Sequence, residues 1–498
     1  MVHGLGTPGK HGWSECPDQA DPGAEQTVNA GNGQATPPAA APAARQHPAW
    51  KRGLALVSLA LSLLLWLNGL ADSLSRPSVG GDLNLRQLEL TVLAEPRVPA
   101  GLRPLLAGAD PARTLDEALA REIERGAKDG APAAAELRLE RALLLLRLQR
   151  DAEARPLLQT LATEPGPDSP EVAVARALLG EAPPPPRWPE QRSLLRQWSC
   201  EALDGAARCG TERVASRALA ELLAVTVLPL VVLMVGIGLL LRELWLRWRR
   251  RSAPLPAIEG PPLSALDAVL LIAGGFVVVG ELLTPLLLAP ALEAVLRLSG
   301  VTSPLREGLT VLVSYLALMA GPLLILALMV RGLGPAPTVD GWLPFHWRPL
   351  SSSLGRALRG LLMVLPLVSL VGWLQSQLWG DPGGSNPLLD LVLRSQDPTA
   401  LGCFALTAVV LAPLFEETLF RGVLLPVAAR ELGGLGGVLL SALVFAVAHL
   451  SLGELPPLFM LGLGLGWLRW SSGRLGCCVL MHALWNGLTF CNLVLLAG

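Results

Sequence analysis

Two adjacent glutamates and an arginine stand inside one of the most apolar stretches of this 498-residue chain, the segment APLFEETLFRG at residues 412–422. A charged side chain at the centre of a bilayer costs about 2.5 to 3.5 kcal/mol even on lenient insertion scales. Glu417 and Arg421 are four residues apart, so a helix places them on one face in the order that favours an ion pair. Glu416 is rotated by about 100° from Glu417 and has no such partner. Glu416 is therefore the first candidate for a chemical role.

Two histidines and an asparagine follow in two later apolar stretches. The segment FAVAH ends at His449, and the segment HALWN places His482 and Asn486 four residues apart on one helical face. Only these two of the six histidines lie in apolar segments. Because ionisable groups inside a membrane usually mark substrate or proton pathways, these groups predict a pocket shared by three helices. An alternative interpretation is that the same groups serve helix packing alone.

Helix geometry allows a rough check of depth in the membrane. Counted from the expected ends of their helices, Glu416 and His449 each lie about 20 Å deep, so we expect them to meet. His482 lies only about 9 Å deep on the same count, so the last helix must start earlier or tilt to reach them.

The elements that must position these residues are membrane helices. The chain is 51% hydrophobic and 16% charged, with a mean hydropathy of +0.46, which predicts an all-α, polytopic membrane protein in contact with the lipid bilayer. The net charge of −1 and the lack of a basic stripe exclude nucleic acid as a partner. About nine transmembrane helices are expected, near residues 50–71, 219–241, 266–290, 309–330, 360–379, 400–429, 436–453, 456–469 and 476–497.

Composition divides the chain into five regions. They are a disordered tail at 1–49, a signal-anchor helix at 50–71, a soluble α-helical insert at 72–215, transmembrane helices at 216–380 and a catalytic helical core at 381–498. The insert is a candidate site for a protein partner. Its Cys200 and Cys209 are either two free thiols or a disulfide, depending on whether the insert lies in an oxidising compartment.

Basic residues near the helix ends predict the orientation. Lys51 and Arg52 precede the first helix, and other arginine clusters fall on alternate connections, as the positive-inside rule requires. We therefore expect a multi-pass protein of the cell inner membrane whose N-terminus is cytoplasmic. The insert and the C-terminus are then expected outside the cytoplasm.

Three short motifs resemble those of a known family. EETLFR at 416–421, FAVAH at 445–449 and HALWN at 482–486 resemble, in order, the EExxxR, FxxxH and HxxxN motifs of the CPBP intramembrane proteases. That family includes type II CAAX prenyl proteases and the lysostaphin-resistance and bacteriocin-immunity proteins. The resemblance covers about residues 400 to 490 and implies that the chain is a glutamate-dependent endopeptidase acting on a membrane protein or peptide.

The resemblance also implies a role for each residue. Glu416 and His449 would activate a water molecule, and His482 and Asn486 would stabilise the tetrahedral oxyanion by hydrogen bonding. Glu417 and Arg421 would hold the site in place. No cofactor is required on this mechanism, although Glu416 and the two histidines could also hold a zinc ion with an open water position.

Two other function classes are compatible with the same sequence. One is a non-catalytic membrane scaffold or a bacteriocin-immunity-type protein of the same fold, which would bind a partner through the insert. The other is a proton-coupled carrier that uses the intramembrane Glu281, although no internal repeat of the kind found in carriers is evident.

Overall fold

Helices make up the whole secondary structure of the described part of the chain. The computed structural model describes residues 47–76, 79–106, 108–128, 135–164, 169–189, 192–249, 254–336, 341–379 and 384–497, and these contain no strand. The disordered tail expected at 1–49 lies outside these residues except for its last three positions. The chain is a polytopic all-α membrane protein, as predicted.

The anchor and the insert form the first group of helices. The anchor is α1 (Ala49–Ser73), and the insert contains α2 (Val79–Ala94), α3 (Arg103–Leu106), α4 (Pro111–Lys128), α5 (Ala135–Arg147), α6 (Asp151–Ala162), α7 (Pro170–Leu178) and α8 (Ser193–Asp204). Leucines repeated along these short helices fill a separate core, to which Leu119, Leu143 and Trp198 contribute. Cys200 and Cys209 form a disulfide just before the next helix.

The remaining helices build the membrane domain. They are α9 (Thr211–Trp248), α10 (Ala265–Val269), α11 (Thr284–Leu298), α12 (Leu305–Arg331), α13 (Leu350–Trp379), α14 (Pro387–Arg394), α15 (Pro398–Ala405), α16 (Ala412–Glu417), α17 (Leu425–Val447), α18 (Leu455–Ser472) and α19 (Leu475–Ala497). Three π-helical segments, Leu270–Leu283, Leu406–Leu411 and Thr418–Leu424, join α10 to α11 and α15 through α17 into continuous helices. Such segments are rare and often occur at functional sites, and two of them flank α16, which carries Glu416.

Seven helical stretches within the described residues are long and apolar enough to cross a membrane, where the sequence predicts about nine. The difference arises at two places. The stretch Pro398–Val447 contains two of the expected helices, and α18 is less apolar because Arg469, Trp470 and two serines occupy its end.

The stretch Pro398–Val447 folds back on itself at Gly433. This glycine has φ 75° and ψ 166°, a conformation that is essentially restricted to glycine. The Ser441 hydroxyl donates to the Phe420 carbonyl at 2.9 Å, which shows that the two arms run antiparallel. Two helical arms therefore bring the Glu416–Arg421 region next to the helix that ends before His449.

Contacts of α1 define two faces of the membrane domain. At the start of α1, Lys51 forms an ion pair with Asp267 at the start of α10, and we call this end the basic face. At the other end, where α1 stops at Ser73 and the insert begins, Leu452 N donates to the Ser73 hydroxyl at 3.2 Å. We call this end the insert face. The loop that follows His449 therefore lies at the insert face.

Candidate active site

The two charges predicted to pair do so in the centre of the core. Arg421 Nη1 lies 2.9 Å from Glu417 Oε1, and both side chains are completely buried. Arg421 also donates to the Gly462 carbonyl of α18 at 3.1 Å, and its guanidinium lies 4.4 Å above the Phe445 ring. One ion pair thus connects α16, α17 and α18, and it compensates the cost of burying each charge alone.

His482 joins this ion pair from the last helix. Its Nδ1 lies 3.0 Å from Glu417 Oε1, and the side chain is buried. Since a carboxylate only accepts hydrogen bonds, the proton of a neutral imidazole lies on Nδ1 and leaves Nε2 as an acceptor. Packing of α19 against α13 and α16 thus brings His482 to the pocket, although α19 begins only at Leu475.

Glu416 faces a different environment from its neighbour Glu417. The Tyr315 hydroxyl of α12 donates to Glu416 Oε1 at 3.2 Å, and Glu416 Oε2 lies 4.0 Å from His482 Nε2. Among the described residues, Oε2 has no hydrogen-bond partner. Two acceptors at this separation are too far apart for a direct hydrogen bond but are suitably spaced to share a water molecule.

Tyr315 is a site residue that the sequence motifs do not reveal. It is the only tyrosine of the chain, and it lies 101 positions before Glu416. A single phenol in an apolar helix is the signal that could have identified it, because a buried hydroxyl needs a partner. Close to it, Trp66 of α1 donates to Glu281 at 3.2 Å, and Glu281 is near enough to Glu416 for their charges to interact.

His449 lies at the edge of the site and does not touch Glu416 directly. Its Nδ1 donates to the Phe445 carbonyl at 2.8 Å, and the two rings are 4.8 Å apart. The Phe445 ring also lies 5.6 Å from the His482 ring, so it contacts both imidazoles. Within the described ranges, no hydrogen bond joins His449 to Glu416, so the expected meeting of these two side chains is not seen.

Asn486 uses one of its amide hydrogens on the backbone. Its Nδ2 donates to the Ala408 carbonyl at 2.8 Å, in the π-helical segment before α16. The second Nδ2 hydrogen is available to another acceptor, because an amide carries two donors. Asn486 therefore ties α19 to the helix that carries Glu416.

The residues do not form an evident metal site. No group of three or more histidine, cysteine, aspartate or glutamate side chains is placed to hold a metal ion in the part of the chain that the structure describes. His482 Nδ1 is bound to Glu417 and His449 Nδ1 to the Phe445 carbonyl, so one nitrogen of each imidazole is already occupied. The donors that zinc would need are thus not gathered around one point among the described residues.

Two parts of the chain match protein-family models. Residues 398–488 match the family described as type II CAAX prenyl endopeptidase Rce1-like, and residues 80–220 match a domain of unknown function (DUF8675). No curated protein and no solved structure matches the chain. The first match covers the helices that supply Glu416, Glu417, Arg421, His449, His482 and Asn486. Over residues 398–488 the chain therefore carries a domain of the CPBP family of intramembrane proteases.

Proposed function

We propose that the chain is an intramembrane endopeptidase that hydrolyses a peptide bond of a membrane-associated protein or peptide. The observation that carries this proposal is the 4.0 Å gap between Glu416 Oε2 and His482 Nε2. Glu416 is held by Tyr315 and His482 by Glu417, so the two acceptors are fixed at a separation that one bridging water molecule can span. A pre-oriented base next to a second proton acceptor is an arrangement suited to activating water.

The hydrolysis proceeds in two balanced steps. Glu416 takes a proton from water as the water oxygen attacks the scissile carbonyl carbon, which gives a tetrahedral oxyanion. The C–N bond then breaks, and the proton passes to the leaving amine. The second Nδ2 hydrogen of Asn486 supplies a hydrogen bond to such an oxyanion without any further proton transfer, and one donor of this kind can contribute about 10²- to 10³-fold in rate.

The test is a comparison of new protein N-termini in membranes from cells that express the wild type or Glu416→Ala at matched abundance. Termini present only with the wild type establish proteolysis and identify the substrates. Glu431→Ala is the matched control, because Glu431 is an exposed acid on α17 away from the pocket. Its products should equal those of the wild type.

A non-catalytic scaffold makes the opposite prediction. If wild type and Glu416→Ala give the same termini, while a phenotype is lost on deletion of the insert, the chain acts through its insert and the peptidase proposal is wrong.

A further inference from the structure

The residues around the candidate pocket are more completely buried on one side than on the other. Every residue from 417 to 428, which runs from the pocket toward the basic face, is buried. By contrast the Glu416 side chain is 15% exposed, and His449 and Asn486 are partly exposed. Exposure of the site residues therefore changes from one end of the pocket to the other.

An extended segment at 254–264 closes the basic face. Arg430 donates to the Leu263 carbonyl at 2.8 Å, Arg469 donates to the Glu259 carbonyl, and the Trp470 indole donates to the Pro256 carbonyl at 3.1 Å. The close approach of Gly260 to Pro426 leaves no space for a Cβ, which would lie 2.5 Å from the proline ring. The segment is thus held to the ends of α17 and α18 along its length.

A second segment, at 341–349, closes the start of α19. Leu475 N donates to the Pro344 carbonyl at 2.9 Å, and Gly476 N donates to the Phe345 carbonyl at 2.8 Å. These bonds satisfy amides that a helix N-terminus leaves without intrahelical partners. Entry of a peptide along this side of His482 would require both segments to be displaced.

The insert face carries the partly exposed end of the site. His449 stands where α17 ends, and Arg76, just after α1, donates to the Leu450 carbonyl that follows it. Gln375 of α13 donates to the Gly453 carbonyl at 2.5 Å in the same loop. The indole of Trp66, which contacts Glu281 near the pocket, is seven residues from the end of α1 at Ser73, or about 10 Å along the helix.

The insert face also carries the disulfide between Cys200 and Cys209. Disulfides persist in oxidising compartments and are rare in the cytoplasm. The clustering of Lys51, Arg430 and Arg469 at the opposite face agrees with a cytoplasmic location of that face.

We propose that the pocket receives its substrate from the insert face, as an extracytoplasmic peptide segment that lies at the membrane surface. That the pocket has a substrate rests on the proposed peptidase function. The direction of access is argued separately, from the burial of the site residues and from the segments 254–264 and 341–349 that cover the basic face. A chain presented only at the basic face, such as a cytoplasmic C-terminus, is then not a substrate.

Accessibility of engineered cysteines tests the direction. Cys403 and Cys491 are replaced by alanine, while the buried Cys477 and Cys478 are kept. Glu416→Cys then reports on the pocket, Leu452→Cys on the insert face and Glu431→Cys on the basic face. Sealed vesicles of each orientation are treated with a small, charged, membrane-impermeant methanethiosulfonate, and labelling of each cysteine is measured.

We expect Glu416→Cys to be labelled in vesicles that also label Leu452→Cys and to be protected in those that label only Glu431→Cys. The reverse pattern, or protection of Glu416→Cys in both orientations, would overturn the proposal. Asn486→Cys supplies a second pocket position should Glu416→Cys fail to accumulate.

The result is independent of the peptidase assay. If Glu416→Cys is labelled from the insert face but no termini are specific to the wild type, the proposed direction of access stands and the proposed peptidase function is refuted. If such termini do appear, they should map to segments on the insert side of the membrane, and termini confined to the other side would contradict the inference.

Discussion

Glu416 and Glu417 are neighbours in sequence, yet they have different surroundings. Glu417 is completely buried and bound to Arg421 and His482, whereas Glu416 is 15% exposed and accepts from Tyr315; each acid keeps one carboxylate oxygen without a hydrogen-bond partner in the described structure. The ion pair of Glu417 with Arg421 stabilises the fold, whereas Glu416 has no arginine partner and is the acid left for chemistry. Substitutions of the two acids are therefore expected to have different effects on protein abundance.

The first prediction compares Glu417→Gln with Glu416→Gln. Removing the charge of Glu417 leaves Arg421 buried without its counter-ion, which costs about 3–5 kcal/mol, so we expect low abundance as well as loss of activity. Glu416→Gln keeps the Tyr315 hydrogen bond and should accumulate normally while losing activity. Protein abundance in membranes and the release of new termini measure the two effects, and equal behaviour of both variants would refute this division of roles.

The second prediction concerns the single tyrosine. Tyr315→Phe keeps the ring that packs against Phe415 but removes the donor to Glu416. A hydrogen bond to a charged group contributes about 1.5–3 kcal/mol, so the cleavage rate should fall about ten- to a hundredfold at unchanged abundance.

A spectroscopic control separates this effect from a general disturbance of the pocket. Because the chain has one tyrosine, incorporation of 3-fluorotyrosine gives one ¹⁹F resonance. The resonance should shift in Glu416→Gln and stay in place in Glu431→Gln. An unchanged ¹⁹F chemical shift in Glu416→Gln would show that the Tyr315 hydroxyl does not donate to the Glu416 carboxylate.

Sequence spacing predicts only those parts of the site that lie close together along one helix. The i, i+4 relation of Glu417 and Arg421 is local, and the structure shows the ion pair. The Tyr315–Glu416 and His482–Glu417 contacts span 101 and 65 positions, so they depend on the packing of separate helices, which residue spacing does not encode. The depth count for His449 and Glu416 gives similar depths but cannot reveal that Phe445 occupies the space beside His449.

Helices in this domain approach closely where glycine replaces a side chain. The spacing of Gly462 and Gly466 predicts such a packing face on α18, and the structure places these glycines against Ala442 and Val438 of α17. The sequence predicts a break between helices at 400–429 and 436–453, where Arg430, Glu431 and two glycines interrupt the apolar pattern, and the structure places the reversal there, at Gly433. The sequence thus indicates the place of this turn, and the structure shows the backbone conformation that forms it.

The third prediction tests this contact with Gly462→Ala. A Cβ at Gly462 would lie 3.0 Å from the Cα of Ala442, so α18 must move away from α17 and take with it the carbonyl that accepts from Arg421. We expect a lower melting temperature in detergent and reduced activity, with overpacking costing about 1–3 kcal/mol. Gly372→Ala on α13 is the control, since nothing lies within 4 Å of its Cβ and alanine favours a helix. Equal stability of both variants would contradict the close approach.

The insert and the membrane domain are linked through α2. Arg86 of α2 donates to the Leu496 and Leu393 carbonyls at 3.5 Å, and Leu83 packs against the cluster that contains Phe404. One turn further along α2, Glu89 enters a buried network in the core of the insert. The insert is thus in direct contact, through α2, with the end of α19, the helix that carries His482.

The buried network has one arginine at its centre. Arg192 Nη1 lies 2.5 Å from Glu89 and 3.0 Å from Glu140, and Asp82 and Glu136 lie at 3.7 and 4.0 Å from the same guanidinium. Burial, strengthened by the charge of Glu89, raises the pKa of Glu140 to about 8, against the opposing effect of Arg192. Burial also raises the pKa of Glu89.

The fourth prediction follows from the raised pKa of Glu140. Between its unfolded pKa, about 4.3, and about 8, the folded insert holds a proton that the unfolded insert releases. The unfolded state then binds fewer protons, so the free energy of unfolding falls as pH rises through this window, by up to about 1.4 kcal/mol per pH unit. Amide hydrogen exchange of α2, α5 and α8 in the full chain, corrected for intrinsic exchange, should therefore show weaker protection at pH 8.5 than at pH 5.5.

Glu140→Gln identifies the group responsible. Glutamine is neutral at every pH and can still accept from Arg192, so the variant should lose much of the pH dependence and gain protection at pH 8.5. The dependence that remains is assigned to Glu89, whose pKa is also raised. Glu124→Gln, which changes an exposed acid on α4, should behave as the wild type. Undiminished pH dependence in Glu140→Gln would show that this carboxyl is not the group that makes the stability of the insert depend on pH.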